Sequence, residues 1–305
     1  MGIIESINVS IEKGTEKTPF PSINVNGLGL EGDAHAGQWH RQVSFLAAES
    51  VDEFRESSGI DIKNGDFGEN ILTRNIDLHK ISPLDRIVTG SCVFEVTQIG
   101  KKCHGDGCSI FSRVGKCIMP VQGVFARVIS PGRISTGDSI SIEKRTFRSL
   151  VITLSDSVSS GINEDISGKV IERMASDYLS SRNFAYNIER KIIPDDALVL
   201  ENILAENSNL DLIITTGGTG IGPRDITPEV VSRFITKEMP GIMDHIRNLH
   251  GSRLPSALIS RSIAGVRDKC QIYALPGNPK ACNEYMTEIT KIIEHAFLML
   301  HSIGH

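Results

Sequence analysis

Several features are scarce in this chain of 305 residues. Aromatic residues make up 5% of it, with one Trp, which argues against base-stacking surfaces for nucleic acid. Neither sign of charge dominates, because 32 Lys and Arg face 37 Asp and Glu, so a net charge of -5 gives no electrostatic reason to bind nucleic acid. No uninterrupted apolar run reaches the ~18–20 residues that a membrane span needs.

Targeting signals and cysteines are scarce as well. The first residues, MGIIESINVS, lack a basic segment followed by an apolar one, so we expect no secretory signal and a cytoplasmic protein. Six cysteines are too few for a disulfide scaffold in a chain of this length. Three of them, Cys103, Cys108 and Cys117, form a cluster in the sequence. In a reducing compartment such a cluster indicates reactive or metal-binding thiols.

The composition, 40% hydrophobic and 23% charged, is that of a globular protein, and the length predicts two domains. The sequence changes character near the basic stretch at 144–148, which predicts domains at 1–146 and 147–305. Short apolar stretches punctuated by glycine predict a β-rich barrel or sandwich in the first half, with a helix near 46–57.

The second half alternates strands, polar or glycine-rich loops and helices, which predicts a mostly parallel sheet covered on both faces. Ligands of such sheets bind beyond the carboxyl ends of the strands. We therefore expect the loops after Thr153, Ile193, Thr216 and Leu275 to meet. Thr227, followed by Pro and Glu, is predicted to be the N-cap of a helix.

The segment TTGGTGIGPRD places four glycines directly after a predicted strand. Glycine lets backbone N–H groups approach an anion closely. The loop lacks the Lys-Ser/Thr ending of a P-loop, and Pro223 interrupts the dinucleotide-binding pattern. From the spacing alone, a phosphate-binding loop and a plain tight turn both remain open.

Asp195 and Asp225 follow two of the predicted strands. Two carboxylates at the open edge of a sheet could hold Mg²⁺, which binds one or two carboxylates together with substrate phosphates. Each Asp also precedes a predicted helix, so helix capping is the alternative for both. The neighbouring glycine-rich loop favours the metal.

Three ordered motifs carry a specific resemblance: TTGGTGIGPRDITPE, LISRSIAGVR and LPGNPKA. From about Val151 onward the chain resembles the molybdopterin-binding domain of molybdopterin adenylyltransferases and the gephyrin G domain. The resemblance implies MgATP-dependent adenylylation of the terminal phosphate of molybdopterin, a trimeric homo-oligomer, and the molybdate-insertion enzyme as a partner. It implies that Asp195 and Asp225 support magnesium and nucleotide. It further implies a backbone cradle for pterin or phosphate, formed by Gly217, Gly218, Thr219 and Gly220. The rest of the site would be lined by Asp156, Ser157, Asp165, Ser167, Gly168, Ser262, Pro276, Gly277 and Asn278.

The first half resembles a MOSC domain over about 3–145, through EGDAHAGQWHRQVSFLAAE, NGDFGENILT, GKKCHGDGCSI and CIMPVQGVFARV. In this family a cysteine is proposed to ligate molybdenum or to carry sulfur, a role that position assigns to Cys103. Lys101 and Lys102 would favour its thiolate. Burial is the alternative for Cys117, and a zinc or iron–sulfur site would use Cys103, His104, Cys108 and Cys117 with a spacing typical of neither. The remaining candidates, as anion contacts or as polar turn residues, are His35, His40 and Arg41.

The leading hypothesis is a bifunctional protein of molybdenum cofactor biosynthesis. Its second domain adenylylates molybdopterin, and its MOSC domain handles the cofactor or its sulfur. One alternative is a carrier that binds molybdopterin without chemistry. Another is a molybdoenzyme that reduces N-hydroxylated compounds through a cofactor bound at Cys103.

Overall fold

A computed structural model describes residues 2–13, 15–102 and 117–303. The described residues fall into two compact units, one up to Arg145 and one from Thr146 onward. The last strand of the first unit ends at Glu143, and the first strand of the second begins at Thr146. No helix within the described ranges is long and apolar enough to cross a membrane.

The first unit is built mainly from short strands. The strands are β1 Gly2–Val9, β2 Thr18–Phe20, β3 Ser22–Asn26, β4 Gly29–Leu30, β5 Val43–Ala47, β6 Ile71–Arg74, β7 Arg86–Thr89, β8 Cys92–Ile99, β9 Val124–Ser130, β10 Gly132–Ser135 and β11 Ser139–Glu143. The helices are α1 Ala48–Ser58, α2 Met119–Gln122 and a 3₁₀ turn at Leu78–Lys80. Helix α1 confirms the helix predicted near 46–57.

Seven of these strands close into a barrel in the order β11-β7-β8-β9-β5-β6-β1, because β1 also pairs with β11 through Gly2 and Ile140. Strand β2 extends the sheet beside β1, and β10, β3 and β4 form a small separate sheet. The barrel interior is apolar, with the rings of Phe45 and Phe94 packed edge to face at a centroid distance of 5.3 Å. The predicted β-rich barrel is therefore confirmed.

The second unit alternates strands and helices. Its strands are β12 Thr146–Leu154, β13 Ala185–Ile193, β14 Leu212–Thr216, β15 Lys237–Glu238, β16 Ile263–Arg267 and β17 Cys270–Leu275. Its helices are α3 Asp156–Ser159, α4 Ile166–Ser181, α5 Ala197–Glu206, α6 Thr227–Phe234, α7 Pro240–Gly251, α8 Pro279–Ile289, α9 Ile293–Leu300 and a 3₁₀ segment at Pro255–Ile259. The described residues of this unit end in two consecutive helices, α8 and α9.

The sheet of the second unit has the order β13-β12-β14-β17-β16-β15. The first four strands are parallel, and β16 and β15 complete the sheet in antiparallel pairings. Alternate residues of β12 enter different cores: Leu150 and Ile152 pack with α5 and α6, whereas Phe147 packs on Phe297 of α9. The predicted sheet, mostly parallel and covered on both faces, is confirmed.

The register of the parallel strands decides where the functional loops lie. Thr153 pairs with Thr216, and Thr216 pairs with Leu275. Leu154 pairs with Ile193 on the other side of β12. Four strands therefore end at the same level, and the loops that follow them meet at one edge, as the sequence predicts.

Candidate active site

A cleft of about 800 Å³ opens at this edge of the second unit. Its volume is in the range of small-molecule sites in proteins. The loops after β12, β13, β14 and β17 all contribute to its walls. Eight of the sequence-predicted residues line it: Ser157, Asp165, Ser167, Asp195, Gly217, Gly218, Asp225 and Gly277.

The other predicted residues of this unit lie beside the cleft, outside its lining. Ser262 is buried, with its hydroxyl 2.8 Å from that of Ser260. Asn278 caps α8 by accepting the N–H of Lys280. The remaining residues of this group are Asp156, Gly168, Thr219, Gly220 and Pro276.

The glycines after β14 have a packing reason. Gly217 has φ +102° and Gly218 has φ +62°, in the region that favours glycine. A Cβ on Gly217 would lie 2.2 Å from the carbonyl oxygen of Leu154, so the turn passes directly over the end of β12. These two glycines therefore form a tight turn. Whether the loop can also bind phosphate depends on whether its amide N–H groups are free.

Thr227 is not the N-cap that the sequence predicts. It is the first residue of α6, Ile226 precedes it, and no side-chain cap is formed. The Thr227 hydroxyl instead donates to the carbonyl of Gly217 at 2.8 Å, and its N–H donates to the carbonyl of Gly218. Its polar groups therefore fasten the glycine-rich loop to the start of the helix.

Hydrogen bonds to their carbonyls also orient the next two peptide groups of the glycine-rich loop. The carbonyls of Thr219 and Gly220 accept hydrogen bonds from Arg261. Within the described part of the chain, the amide N–H groups of Gly218, Thr219 and Gly220 have no hydrogen-bond partner. Consecutive unpartnered amides in a glycine-rich turn are the donors that bind phosphate oxygens in proteins.

The structure separates Asp195 from the helix-capping alternative. The cap of α5 is its neighbour Asp196, whose carboxylate accepts the N–H groups of Leu198 and Val199. Asp225 does not cap α6 either; its carboxylate accepts the N–H of Gly222 at 2.7 Å. Both Asp195 and Asp225 line the cleft, and neither of them caps a helix.

Asp195 is tied to Asp156 across the ends of β12 and β13. The Asp195 N–H donates to the Asp156 carboxylate at 3.1 Å, and the Asp156 N–H donates back at 3.3 Å. Burial raises the pKa of Asp195, and the nearby negative charges of Asp156 and Asp225 raise it further. Arg224, which pairs with Asp156, opposes this shift.

Asp165 has mainly a structural environment. Its carboxylate caps α4 by accepting the N–H of Gly168 at 2.8 Å, and it pairs with Arg190 at 3.1 Å. Ser167, near the start of the same helix, donates to the carbonyl of Gly277 at 2.7 Å. The Ser167 contact joins the segment after β12 to the loop after β17.

The charges of the lining favour a cation. Four carboxylates line the cleft, those of Glu164, Asp165, Asp195 and Asp225, against one guanidinium, that of Arg224. No group of three or more His, Cys, Asp or Glu side chains able to hold a metal exists among the residues that the structure describes. Two carboxylates, Asp195 and Asp225, fit Mg²⁺, because this ion keeps positions for water and for substrate phosphates.

The cysteine cluster of the first unit is only partly described. Cys103, Cys108 and His104 lie outside the described residues. Cys117 is half buried and packs against the apolar cluster around Phe125, so it has the small-hydrophobe environment that its sequence neighbours suggest. The ammonium of Lys101 lies 5.8 Å from the centre of the Phe125 ring, and Lys102 is exposed.

The predicted histidine and arginine candidates are spread along the segment before β5. The imidazole of His35 lies 3.6 Å from the Asp33 carboxylate. Burial, with Arg41 and Arg127 nearby, lowers the pKa of His40. The guanidinium of Arg41 lies over the ring of Trp39 at 4.9 Å. Each therefore has a protein partner or a desolvated environment.

Sequence reasoning missed a buried ionic cluster in the first unit. The Lys17 ammonium and the Asp33 carboxylate pair at 2.8 Å, both almost fully buried. The Gly65 N–H donates to one oxygen of Glu69 at 2.6 Å, and the other oxygen has no partner within the described residues. Burial raises the pKa of Glu69 to about 7. The one signal available was a Glu between glycines and a buried strand, in NGDFGENILT.

The comparisons with known proteins agree with both units. The family model described as "Probable molybdopterin binding domain" matches residues 150–295, and the MOSC domain model matches residues 32–141. Molybdopterin adenylyltransferase of Helicobacter pylori is 37% identical over 149 residues, which cover 48% of this chain and 82% of that protein.

Two further relatives extend the comparison. Molybdopterin adenylyltransferase of Escherichia coli is 32% identical over 46% of this chain and 71% of its own length. Gephyrin of Dictyostelium discoideum is 34% identical over 50% of this chain and 22% of its own length. The chain therefore belongs to the molybdopterin adenylyltransferase family, and it carries a MOSC domain in addition to the family's molybdopterin-binding domain.

Proposed function

We propose that the second unit transfers the adenylyl group of ATP to the terminal phosphate of molybdopterin. One observation carries the proposal: among the described residues the amides of Gly218, Thr219 and Gly220 have no hydrogen-bond partner, and Gly218 lines one cleft together with Asp195 and Asp225. The amides suit phosphate oxygens, and the carboxylates suit a cation that accompanies them.

The reaction asks little covalent chemistry of the protein. An oxygen of the pterin phosphate attacks the α-phosphorus of ATP, and the bond from that phosphorus to the bridging oxygen breaks as pyrophosphate leaves. The nucleophile comes with the substrate, so the chain has to align two anions and offset their charge.

Each group of the cleft has a part in this alignment. The amide of Gly218 in the lining and those of Thr219 and Gly220 beside it would bind phosphate oxygens, and the guanidinium of Arg224 supplies positive charge at the rim. Asp195 and Asp225 would hold Mg²⁺, which on binding offsets the negative charge of the phosphates.

The test is pyrophosphate release from MgATP in the presence of molybdopterin. Asp225→Ala should abolish release while leaving pterin binding largely intact, because the amide cradle is kept. Asp196→Asn is the matched control: it changes the carboxylate next to Asp195, keeps a good helix cap, and should leave release unchanged.

Either failure has a definite meaning. If Asp225→Ala keeps full activity, the metal assignment is wrong. If the wild-type protein binds molybdopterin tightly yet releases no pyrophosphate, the second unit is a carrier, and the search for chemistry moves to the first unit.

We further propose that the MOSC domain handles the cofactor or its sulfur through Cys103. The match to the MOSC family over residues 32–141 supports this role, and the neighbouring Lys101 and Lys102 would favour a thiolate. Molybdenum or sulfane sulfur in the purified protein, lost in Cys103→Ser, supports it. Content unchanged by the substitution contradicts it. A trimeric assembly and delivery to a molybdate-insertion enzyme complete the proposal.

A further inference from the structure

Arg261 occupies an unusual position relative to the glycine-rich loop. It lies between the 3₁₀ segment Pro255–Ile259 and β16, outside the lining of the cleft. Its own N–H donates to the carbonyl of Thr219 at 2.9 Å. Its Nε donates to the carbonyl of Gly220 at 2.6 Å, and its Nη2 donates to the carbonyl of Asp225 at 2.8 Å. One residue thus holds both ends of the loop.

The guanidinium is itself held in place. Its Nη1 pairs with the carboxylate of Glu229 on α6. A planar guanidinium offers five N–H donors in a fixed fork, so it can bind two carbonyls and a carboxylate at once. An ammonium in the same place has no such fork and cannot keep this set of contacts.

The bound carbonyls decide where the loop amides point. In a planar trans peptide the C=O and the following N–H are directed to opposite sides, and no cis peptide occurs among the described residues. The carbonyls of Thr219 and Gly220 point at Arg261, so the N–H groups of Gly220 and Ile221 point away from it. The carbonyl of Gly218 is bound by the N–H of Thr227, which directs the Thr219 N–H in the same manner.

The same contacts fix Asp225. Its carbonyl is bound by Arg261, and its carboxylate is bound by the Gly222 N–H within the loop. The position of the carboxylate is therefore set by a loop whose two ends share one anchor. A loop without that anchor would have to be ordered by the ligand itself, at the expense of affinity.

We propose that Arg261 is a positioning residue of the adenylyl-transfer site and does not touch the substrates. Its main-chain N–H orients the Gly220 amide, and its guanidinium, through the carbonyls of Gly220 and Asp225, orients the Ile221 amide and the Asp225 carboxylate. The inference rests on the proposed function of the second unit. Because a misplacement of about 1 Å can cost about 100-fold in rate, we expect Arg261→Lys to lower kcat by about 100-fold. Its half-saturating magnesium concentration should rise, and its thermal midpoint should stay close to that of the wild type.

Arg233→Ala is the matched control. Arg233 lies on α6, the helix that carries Glu229, and pairs with the exposed Glu201 without touching the loop. Its loss should leave kcat and KM unchanged.

In Arg261→Ala, guanidinium chloride at concentrations too low to unfold the protein should restore part of the activity, because the free ion can occupy the vacated contacts. A purely structural role would not give this rescue.

The outcomes are distinguishable. Arg261→Lys with kcat and magnesium dependence within about twofold of the wild type overturns the inference while leaving the adenylyltransferase intact. If the wild type itself is inactive, the proposed function fails, and amide hydrogen exchange of the segment 218–226 decides on Arg261. Faster exchange there in Arg261→Lys than in Arg233→Ala supports the positioning role, and equal exchange overturns it.

Discussion

Glu69 is buried near the ammonium of Lys17, and one of its carboxyl oxygens has no partner among the residues that the structure describes. Its carboxyl is almost fully buried, and burial raises its pKa from 4.5 to about 7 against the opposing effects of the Gly65 amide and Lys17. A carboxyl of this kind is protonated in the folded protein at pH values where the unfolded chain is ionised. The burial of Glu69 therefore makes the free energy of unfolding depend on pH.

We predict that the free energy of unfolding of the first unit falls as the pH rises, because the folded state binds the Glu69 proton more tightly than the unfolded state. The fall is about 3 kcal/mol between pH values of about 4.5 and about 7, and the free energy levels off above that. Glu69→Gln cannot ionise and keeps the Gly65 contact, so this fall should be absent. Urea midpoints of the first unit at several pH values measure the difference.

The control for this measurement is Glu56→Gln, which removes an equal charge from an exposed position on α1. Its pH profile should run parallel to that of the wild type. If Glu69→Gln gives the same profile as Glu56→Gln, then Glu69 is ionised in the folded protein and the burial argument is wrong.

Adjacent residues show where sequence reasoning reached its limit. Asp195 and Asp196 are chemically identical, and both precede α5. The sequence leaves metal binding and helix capping open for Asp195, and only the backbone path shows that Asp196 takes the cap while Asp195 lines the cleft. The N-cap predicted at Thr227 is wrong for a similar reason. The Thr227 hydroxyl donates to the carbonyl of Gly217 instead of accepting a helix N–H.

Elements were more predictable than side chains. Hydrophobic runs such as LDLIITT locate the buried strands, and the parallel register then brings their loops to one edge. Contacts between segments distant in the chain, such as Arg261 with Gly220, leave no local pattern. The buried pair of Lys17 and Asp33 escaped notice for the same reason, because ions in a core look like surface residues in the sequence.

The junction between β14 and α6 is the element on which the cleft depends. We predict that Gly217→Ala lowers the free energy of unfolding of the second unit by about 1–3 kcal/mol, because a positive φ is strained for an L side chain. The added Cβ would also meet the Leu154 carbonyl, which is backbone and cannot rotate away. Pyrophosphate release should fall with it.

Gly241 is the matched control for this substitution. It lies in the first turn of α7, and a Cβ there would meet no atom within 4 Å. Gly241→Ala should therefore stabilise the helix, by up to about 1 kcal/mol. Thermal unfolding of both variants checks the pair. A Gly217→Ala protein as stable as Gly241→Ala would contradict the strained-turn argument.

At the scale of the whole molecule, each unit has its own hydrophobic core. The barrel cluster contains residues such as Phe45 and Phe94, and the cluster of the second sheet contains residues such as Ile152 and Ile213. Neither cluster draws a residue from the other unit within the described chain. Because each unit has its own core, each can support a separate functional site.

We therefore predict that the two proposed sites act independently at the level of chemistry. Cys103→Ser should leave molybdopterin-dependent pyrophosphate release within about twofold of the wild type, and Asp225→Ala should leave the molybdenum or sulfane sulfur content unchanged. The double variant should show the sum of the two single effects, because substitutions without shared partners usually add. Loss of pyrophosphate release in Cys103→Ser, at an unchanged thermal midpoint, would contradict independence and would show that the state of the MOSC site governs adenylyl transfer.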